Sequence, residues 1–159
     1  MDVVSRLRSA AFPNEPFGLI TCADEQEQWE EIRFLFGKAM LWAQAFEDSL
    51  LEFVITAERI WKRSRHSESQ LRRLTLGKLL QEARLYCTLS ESHTDEMRQA
   101  LAARNAVAHG FFSKRRALLA RTSGRANVID ELNSAIDQFQ VCRDEVNWWL
   151  FMLAHAGGE

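Results

Sequence analysis

The sequence predicts an all-α protein, a four-helix bundle with two long and two shorter helices. Two observations predict it. The 159 residues include two prolines and seven glycines, which leaves little material for turns. Apolar residues also recur at spacings of three and four over long stretches, which is the period of an amphipathic helix. Because such helices bury their apolar faces against one another, we expect a bundle, with a single domain over residues 25–156.

Residues 1–24 are predicted to form an irregular N-terminal arm, because Pro13, Pro16 and Gly18 interrupt its scattered apolar residues. The first twelve residues are charged and lack a long apolar stretch, so no secretory signal is expected. No apolar run approaches the ~20 residues of a membrane span. The three cysteines are far apart, which suits reduced thiols. We therefore expect a cytoplasmic protein with no membrane partner.

The first helix is predicted from Glu25 to about Arg63, a stretch without proline. Its apolar stripe consists of Ile32, Leu35, Ala39, Ala43, Phe46, Leu50, Phe53, Ala57 and Ile60. Acidic residues crowd the start of the stretch and basic residues its end, as the helix dipole favours.

The second helix is predicted to be short. Residues 64–70 are polar and indicate a loop or a frayed helix end. Thr75 is the predicted N-cap, because its hydroxyl can accept a backbone N–H, and the helix continues to Leu85.

The third helix follows a polar break at residues 90–94 and is predicted over residues 95–108. Thr94 or Ser92 can cap its start. Gly110 stands where a glycine commonly ends a helix, since glycine adopts the left-handed conformation that this position requires.

The fourth helix is predicted from about Asn127 to Ala154. Its apolar stripe consists of Ile129, Leu132, Ile136, Phe139, Cys142, Val146, Trp149, Leu150 and Leu153. The basic stretch before it, residues 112–125, ends in Ser-Gly and is predicted to be a loop, with or without a short strand.

Several chemistries lack their motifs. The sequence has no glycine-rich phosphate loop, the cysteines form no C-x-x-C pair, and the four histidines lack the spacing of zinc ligands. No metal or cofactor is therefore predicted.

The basic residues are segregated, although the net charge is -2. Residues 59–78 and 104–125 together hold 13 of the 20 basic residues and one of the 22 acids. A basic face on an acidic body suits a nucleic-acid binder. The candidate binding residues are Arg72, Arg73, Lys114, Arg115 and Arg116. Alternatively, the two segments are solvated and never meet in space.

The third helix carries an arginine on its apolar stripe. Arg104 falls in line with Met97, Leu101, Ala108 and Phe111, so it is expected to face the core and to need a partner. Asn105 and His109 are four residues apart and can meet at the edge of that stripe. In one interpretation Arg104 is structural and pairs with an acid of the first helix such as Glu47, while the helix dipole favours His109. In the other, these residues form a functional site.

The stretch Arg104-Asn105-x-x-x-His109-Gly110 resembles the R-x4-6-H signature of HEPN domains, which lies near the end of the third main helix of a helical bundle. The resemblance covers roughly residues 25–156. Many members are dimeric endoribonucleases that work without a metal. The resemblance implies that Arg104, Asn105 and His109 are active-site residues and that Glu47 is an acidic partner.

This chemistry is physically sensible because RNA supplies its own nucleophile, the 2′-hydroxyl. A histidine can exchange a proton near neutral pH, and an arginine presents a planar fork of donors to phosphate oxygens. Arg104 and His109 are about 140° apart around a helix of 3.6 residues per turn. A homodimer through the third-helix region would bring both pairs into one cleft.

One branch of the family is silenced by an antitoxin that modifies a tyrosine two positions after the histidine. Phe111 stands there in this chain. A defence or stress ribonuclease, or a toxin neutralised by another kind of protein antitoxin or regulator, is therefore expected. The alternative is a non-catalytic HEPN-like module that binds RNA, a nucleotide or a protein partner.

Overall fold

Seven helices make up the computed structural model, which describes residues 22–61 and 65–156. They are α1 (Cys22–Ile60), α2 (Glu68–Leu71), α3 (Leu76–Ala83), α4 (Glu91–Ala108), α5 (Phe111–Lys114), α6 (Arg116–Leu119) and α7 (Thr122–Ala156). No strand occurs within these two ranges, so the all-α prediction is confirmed. The predicted N-terminal arm lies outside the described residues as far as position 21, and α1 already begins at its last three positions.

The two long helices, α1 and α7, run parallel and form most of the core. Near their N-terminal ends Arg125 Nε donates to Gln28 Oε1 at 2.8 Å. Near their C-terminal ends the rings of Phe53 and Trp149 meet edge to face, with centroids 5.4 Å apart. The stripes predicted for these helices supply the largest fully buried side chains of the pair, among them Ile32, Phe46, Leu50, Phe53, Leu132 and Phe139.

Helix α4 runs antiparallel to α7 and packs against it. Gln138 Nε2 donates to the backbone oxygen of Glu96 at 3.1 Å, and the buried thiol of Cys142 lies 3.7 Å from the same oxygen. Burial raises the pKa of this thiol to about 11. The helix begins at Glu91, and its N-cap is Ser90, whose hydroxyl accepts the backbone N–H of His93.

The caps predicted for α4 were therefore placed too late. Thr94 and Ser92 both lie inside the helix, because Ser90 has the extended backbone that a cap requires and offers an oxygen three residues before a free N–H. Thr75 does stand at the N-cap of α3, although its side chain makes no capping bond there.

Residues 64–70, predicted to form a loop or a frayed helix end, include most of α2 (Glu68–Leu71). Ser67 accepts from the backbone of Gln70, and the Gln70 side chain accepts from the backbone of Ser67. This reciprocal capping box satisfies two backbone donors that a four-residue helix would otherwise expose.

The prediction of a loop or strand at residues 112–125 was wrong. The segment forms α5, α6 and the first turn of α7, with Arg125 buried at its end. The Arg125 guanidinium donates to the backbone oxygen of Leu119 at 3.1 Å and to the hydroxyl of Thr122 at 3.2 Å. It also lies 3.6 Å from Glu25 of α1. Arg125, which the predicted loop would leave in solvent, is thus buried and contacts polar groups of α1, α6 and α7.

Gly124 allows the first turn of α7 to pack closely against α6. A Cβ atom at this position would lie 2.0 Å from the backbone oxygen of Leu118, a distance that no side chain can occupy. The first turn of α7 therefore packs directly on the backbone of α6. No helix in the described ranges has a stretch long and apolar enough to cross a bilayer.

Candidate functional site

An ion pair joins Arg104 of α4 to Glu47 of α1. Arg104 Nη2 lies 3.3 Å from Glu47 Oε2. The side chains are 29% and 19% exposed, so the pair lies at the edge of the helix contact and is open to water on one side. Arg104 was expected to face the core and to pair with an acid of the first helix such as Glu47. The pairing with Glu47 is present.

The expected burial of Arg104 in the core is only partial. The fully buried residues of α4 are Met97, Ala100 and Val107, and Arg104 borders the face that they define. The buried face of α4 is therefore rotated by part of a turn from the predicted apolar stripe. That stripe was placed through Leu101 and Ala108, which are only partly buried. A guanidinium at this border keeps donors available to a ligand that approaches from solvent.

Asn105 and His109 are both exposed. Helix α4 ends at Ala108, and His109 is its C-cap, with φ −122° and ψ 92°. Its backbone N–H donates to the backbone oxygen of Asn105 at 3.0 Å. The side chains of Asn105 and His109 form no hydrogen bond with each other in the part of the chain that the structure describes. Because the His109 backbone has left the helical conformation, the 140° projection does not fix the direction of its imidazole.

The residues after His109 anchor its position. Gly110 takes the left-handed conformation, φ 71°, as expected for the residue that follows a helix end. Phe111 is then buried against Phe36 of α1, with ring centroids 5.4 Å apart, and Phe112 packs 4.9 Å from the same ring. The backbone of His109 is therefore held between the end of α4 and an aromatic cluster, and its side chain is exposed.

The three predicted basic residues of the next segment differ in role. Arg115 forms a two-pronged salt bridge with Glu131 of α7, donates to the Phe111 backbone oxygen at 3.2 Å and covers the Phe111 ring at 4.1 Å. Its side chain is 13% exposed. Lys114 and Arg116 are exposed and make no ion pair with a described residue. Two of the three cations are thus available to an anionic ligand.

The predicted cations of the earlier segment lie elsewhere on the bundle. Arg72 donates to Glu68 Oε1 through Nε and Nη2, at 3.0 and 2.6 Å, and Arg73 is exposed. Arg72 lines an open groove of about 460 Å³ whose other walls include Asp48 and Glu52 of α1. Acids of α1 therefore offset the positive charge that this segment has in sequence.

Sequence reasoning missed the partners of Arg115 and Arg125. Glu131 binds Arg115 from 16 positions away, and Gln28 binds Arg125 from 97 positions away. No local sequence pattern predicts either contact. It also missed a group formed by Glu58, His66 and Glu82, whose ligand atoms all lie within 4.8 Å of one another. Their spacings along the chain match no metal-binding motif, so only the fold brings them together.

Comparisons of this chain with protein-family models, curated proteins and solved structures found no match.

Proposed function

We propose that the protein is a metal-independent endoribonuclease of HEPN type that acts as a homodimer. The observation that carries the proposal is the Glu47–Arg104 ion pair, together with the exposed His109 at the end of the same helix. The carboxylate holds one arm of the guanidinium fork at a water-accessible edge. The remaining N–H donors of Arg104 can then bind phosphate oxygens without first ordering a free side chain.

The proposed reaction is transesterification of the RNA backbone. The 2′-hydroxyl oxygen attacks the adjacent phosphorus and loses its proton, and the bond from phosphorus to the 5′-oxygen breaks as that oxygen gains a proton. His109 transfers protons in this scheme, and Arg104 stabilises the negative charge on the phosphoryl oxygens. The exposed amide of Asn105 donates to the same phosphate. The products are a 2′,3′-cyclic phosphate and a 5′-hydroxyl.

One exposed face of α4 supports the proposed dimer. Ala102, Asn105 and His109 recur at spacings of three and four, and all three are exposed. A two-fold axis beside this face would set the Arg104 and His109 of one protomer opposite those of the other. The small side chain of Ala102 lets the two helices approach closely.

RNA reaches this cleft across Lys114 and Arg116 of the following segment. These two exposed cations attract the backbone without selecting a sequence. The resemblance to HEPN toxins makes a defence, stress or toxin role in the cytoplasm the biological part of the proposal, with a protein antitoxin or regulator as its partner.

A second candidate is a non-catalytic HEPN-like module that binds RNA, a nucleotide or a protein. The same ion pair favours it, because a purely structural arginine would also join α4 to α1 through Glu47. In this case the Glu47–Arg104 contact stabilises the bundle and His109 has no chemical role.

Cleavage of single-stranded RNA in the presence of EDTA tests the proposal. We expect cleavage by the unmodified protein and a loss of ~10²–10⁴-fold in His109→Ala, since proton transfer contributes about that much. His155→Ala is the matched control, because His155 is also an exposed histidine near a helix end. If folded His109→Ala cleaves as fast as this control, the binding module replaces the enzyme.

A further inference from the structure

Glu58, His66 and Glu82 come together on the side of the bundle where α1 ends. Glu58 is in the last turn of α1, His66 lies in the segment before α2, and Glu82 is near the end of α3. One ligand atom of each residue lies within 4.8 Å of the other two. Two carboxylates and one imidazole make a donor set that suits zinc and similar divalent transition metals.

The closest pair has the separation of two ligands on one ion. His66 Nδ1 lies 3.4 Å from Glu58 Oε1, which is long for a hydrogen bond between these groups. Ligands about 2.0–2.1 Å from a tetrahedral zinc ion are about 3.3–3.5 Å apart. An ion can therefore sit between these two atoms without moving them, and a carboxylate oxygen of Glu82 lies within 4.8 Å of both.

The burial of the carboxylates supports a ligand at this place. Glu58 has a side chain only 5% exposed, and its polar contact among the described residues is His66. Oε2 of Glu82 is buried and accepts no hydrogen bond from a described residue. Arg65 Nη1 lies 3.6 Å from that oxygen, beyond hydrogen-bonding distance, on a side chain that is 55% exposed. Buried carboxylate oxygens with so few donors are costly, and a divalent cation would satisfy both residues at once.

The site also has a route of entry. A cavity of about 280 Å³ opens to solvent beside Glu58 and His66, and its other lining residues are Ile55, Arg59, Glu68 and Leu71. Three protein ligands leave the fourth tetrahedral position to water, which this cavity can hold.

We propose that Glu58, His66 and Glu82 form a binding site for a divalent transition-metal ion of the zinc class. The ion links the end of α1 to α3 across the segment that precedes α2. These three residues take no part in the proposed ribonuclease chemistry, so the two proposals stand or fall separately.

The test is titration of the metal-free 159-residue chain with Zn²⁺. We expect calorimetry to give one ion bound per chain, with a rise in the thermal unfolding temperature. Co²⁺ should give the strong visible absorption of a tetrahedral site. His66→Ala should weaken binding by more than roughly tenfold, because even the loss of a residue that only supports a ligand costs about that much. Glu82→Gln should also weaken it.

His93→Ala is the matched control. His93 Nδ1 lies 3.6 Å from Glu145, so it is also a histidine beside a carboxylate, but no third ligand completes a group there within the described residues. His93→Ala should bind Zn²⁺ as the unmodified protein does. If His66→Ala binds Zn²⁺ as tightly as His93→Ala, or if the unmodified protein binds none, the site does not exist. RNA cleavage in EDTA, below the unfolding temperature, should be unaffected by His66→Ala.

Discussion

Glu47 and Arg104 are 57 positions apart in the chain and meet through a 3.3 Å ion pair where α1 contacts α4. The pair is neither buried enough to be a fixed part of the core nor exposed enough to be a free surface contact. Such a position suits a residue that must stay charged and must still reach a ligand. The contribution of the pair to stability and its proposed contribution to RNA cleavage can be separated by substitution.

The first prediction concerns this pair. Glu47→Gln keeps the shape of the side chain and removes its charge, so it should lower the free energy of unfolding by about 1 kcal/mol or less, as for other solvent-accessible ion pairs. RNA cleavage should fall by more than the roughly fivefold that this energy represents, because Arg104 loses the partner that orients its fork. Urea denaturation and initial cleavage rates measure the two effects.

Arg104→Lys is the companion variant, since it keeps the charge and loses the planar donor set. If the pair is purely structural, the lysine should keep the contact with Glu47, so the protein should remain as stable as the unmodified one and any RNA binding should be intact. The enzyme predicts a folded protein with strongly reduced cleavage. Full cleavage activity in folded Arg104→Lys would contradict the proposed role of the guanidinium.

The second prediction separates the three neighbouring cations. Replacing Lys114 and Arg116 together by glutamine should weaken RNA binding and reduce the slope of log affinity against log salt by about 1.4, since each of the two cations would neutralise one phosphate of the bound single strand. Protein stability should change little, since both side chains are exposed. Filter binding across a salt series measures the slope.

Arg115→Gln should behave in the opposite way. It removes the salt bridge to Glu131 and the cover over Phe111, so it should destabilise the protein and leave the salt slope of the folded fraction nearly unchanged. A control with Arg84→Gln and Arg98→Gln, two exposed cations elsewhere, should retain both binding and slope. An equal fall in slope in that control would mean that RNA does not select the Lys114–Arg116 segment.

The third prediction concerns the oligomer. Light scattering across micromolar concentrations should show a dimer, and Ala102→Glu should convert it to a monomer, because two like charges would meet beside the two-fold axis. Glutamate is a good helix former, so the fold of α4 should survive. The monomer should lose RNA cleavage. A strictly monomeric unmodified protein would count against the shared cleft.

The long helices could be predicted from sequence because their apolar stripes have the period of a helix over many turns. Helix α2 was predicted only as a loop or a frayed helix end, although Ser67 and Gln70 are three positions apart, as in a capping box, immediately before the apolar Leu71. The helices of 111–119 were missed for a different reason. Arg115 and Arg125 count as solvated charges in sequence, and only partners from distant helices, Glu131 and Gln28, allow them to be buried.

The candidate site divides in the same way. The stretch from Arg104 to His109 is local and stands out in the sequence, and Glu47 was named both as a structural partner for a buried arginine and through the resemblance to HEPN domains. The cluster of Glu58, His66 and Glu82 could not be found, because it depends on how the chain turns between α1 and α3. The spacing of the histidines and cysteines argues only against a metal site built from residues close together in the sequence. It does not bear on a site whose ligands come from distant segments that the fold brings together.

The fourth prediction follows from a buried thiol. Burial raises the pKa of Cys142 from 9.0 to about 11, so the folded protein keeps a proton that the unfolded chain releases. The stability associated with this thiol is present below about pH 9 and is lost as the pH rises towards 11. The free energy of unfolding should therefore decline over this range, and Cys142→Ala should decline less. Equal declines in the two proteins, measured by urea denaturation, would contradict the prediction.

The last prediction compares two glycines in long helices. A Cβ at Gly124 would lie 2.0 Å from the Leu118 backbone oxygen, whereas at Gly37 it would meet nothing within 4 Å. Gly124→Ala must push α6 and α7 apart and should destabilise the protein by about 1–3 kcal/mol, the range for overpacked sites. Gly37→Ala removes backbone freedom from the unfolded chain alone and should stabilise it by about 0.4–1 kcal/mol. Denaturant unfolding of both variants gives the two signs, and a neutral Gly124→Ala would mean that α7 does not begin against the backbone of α6.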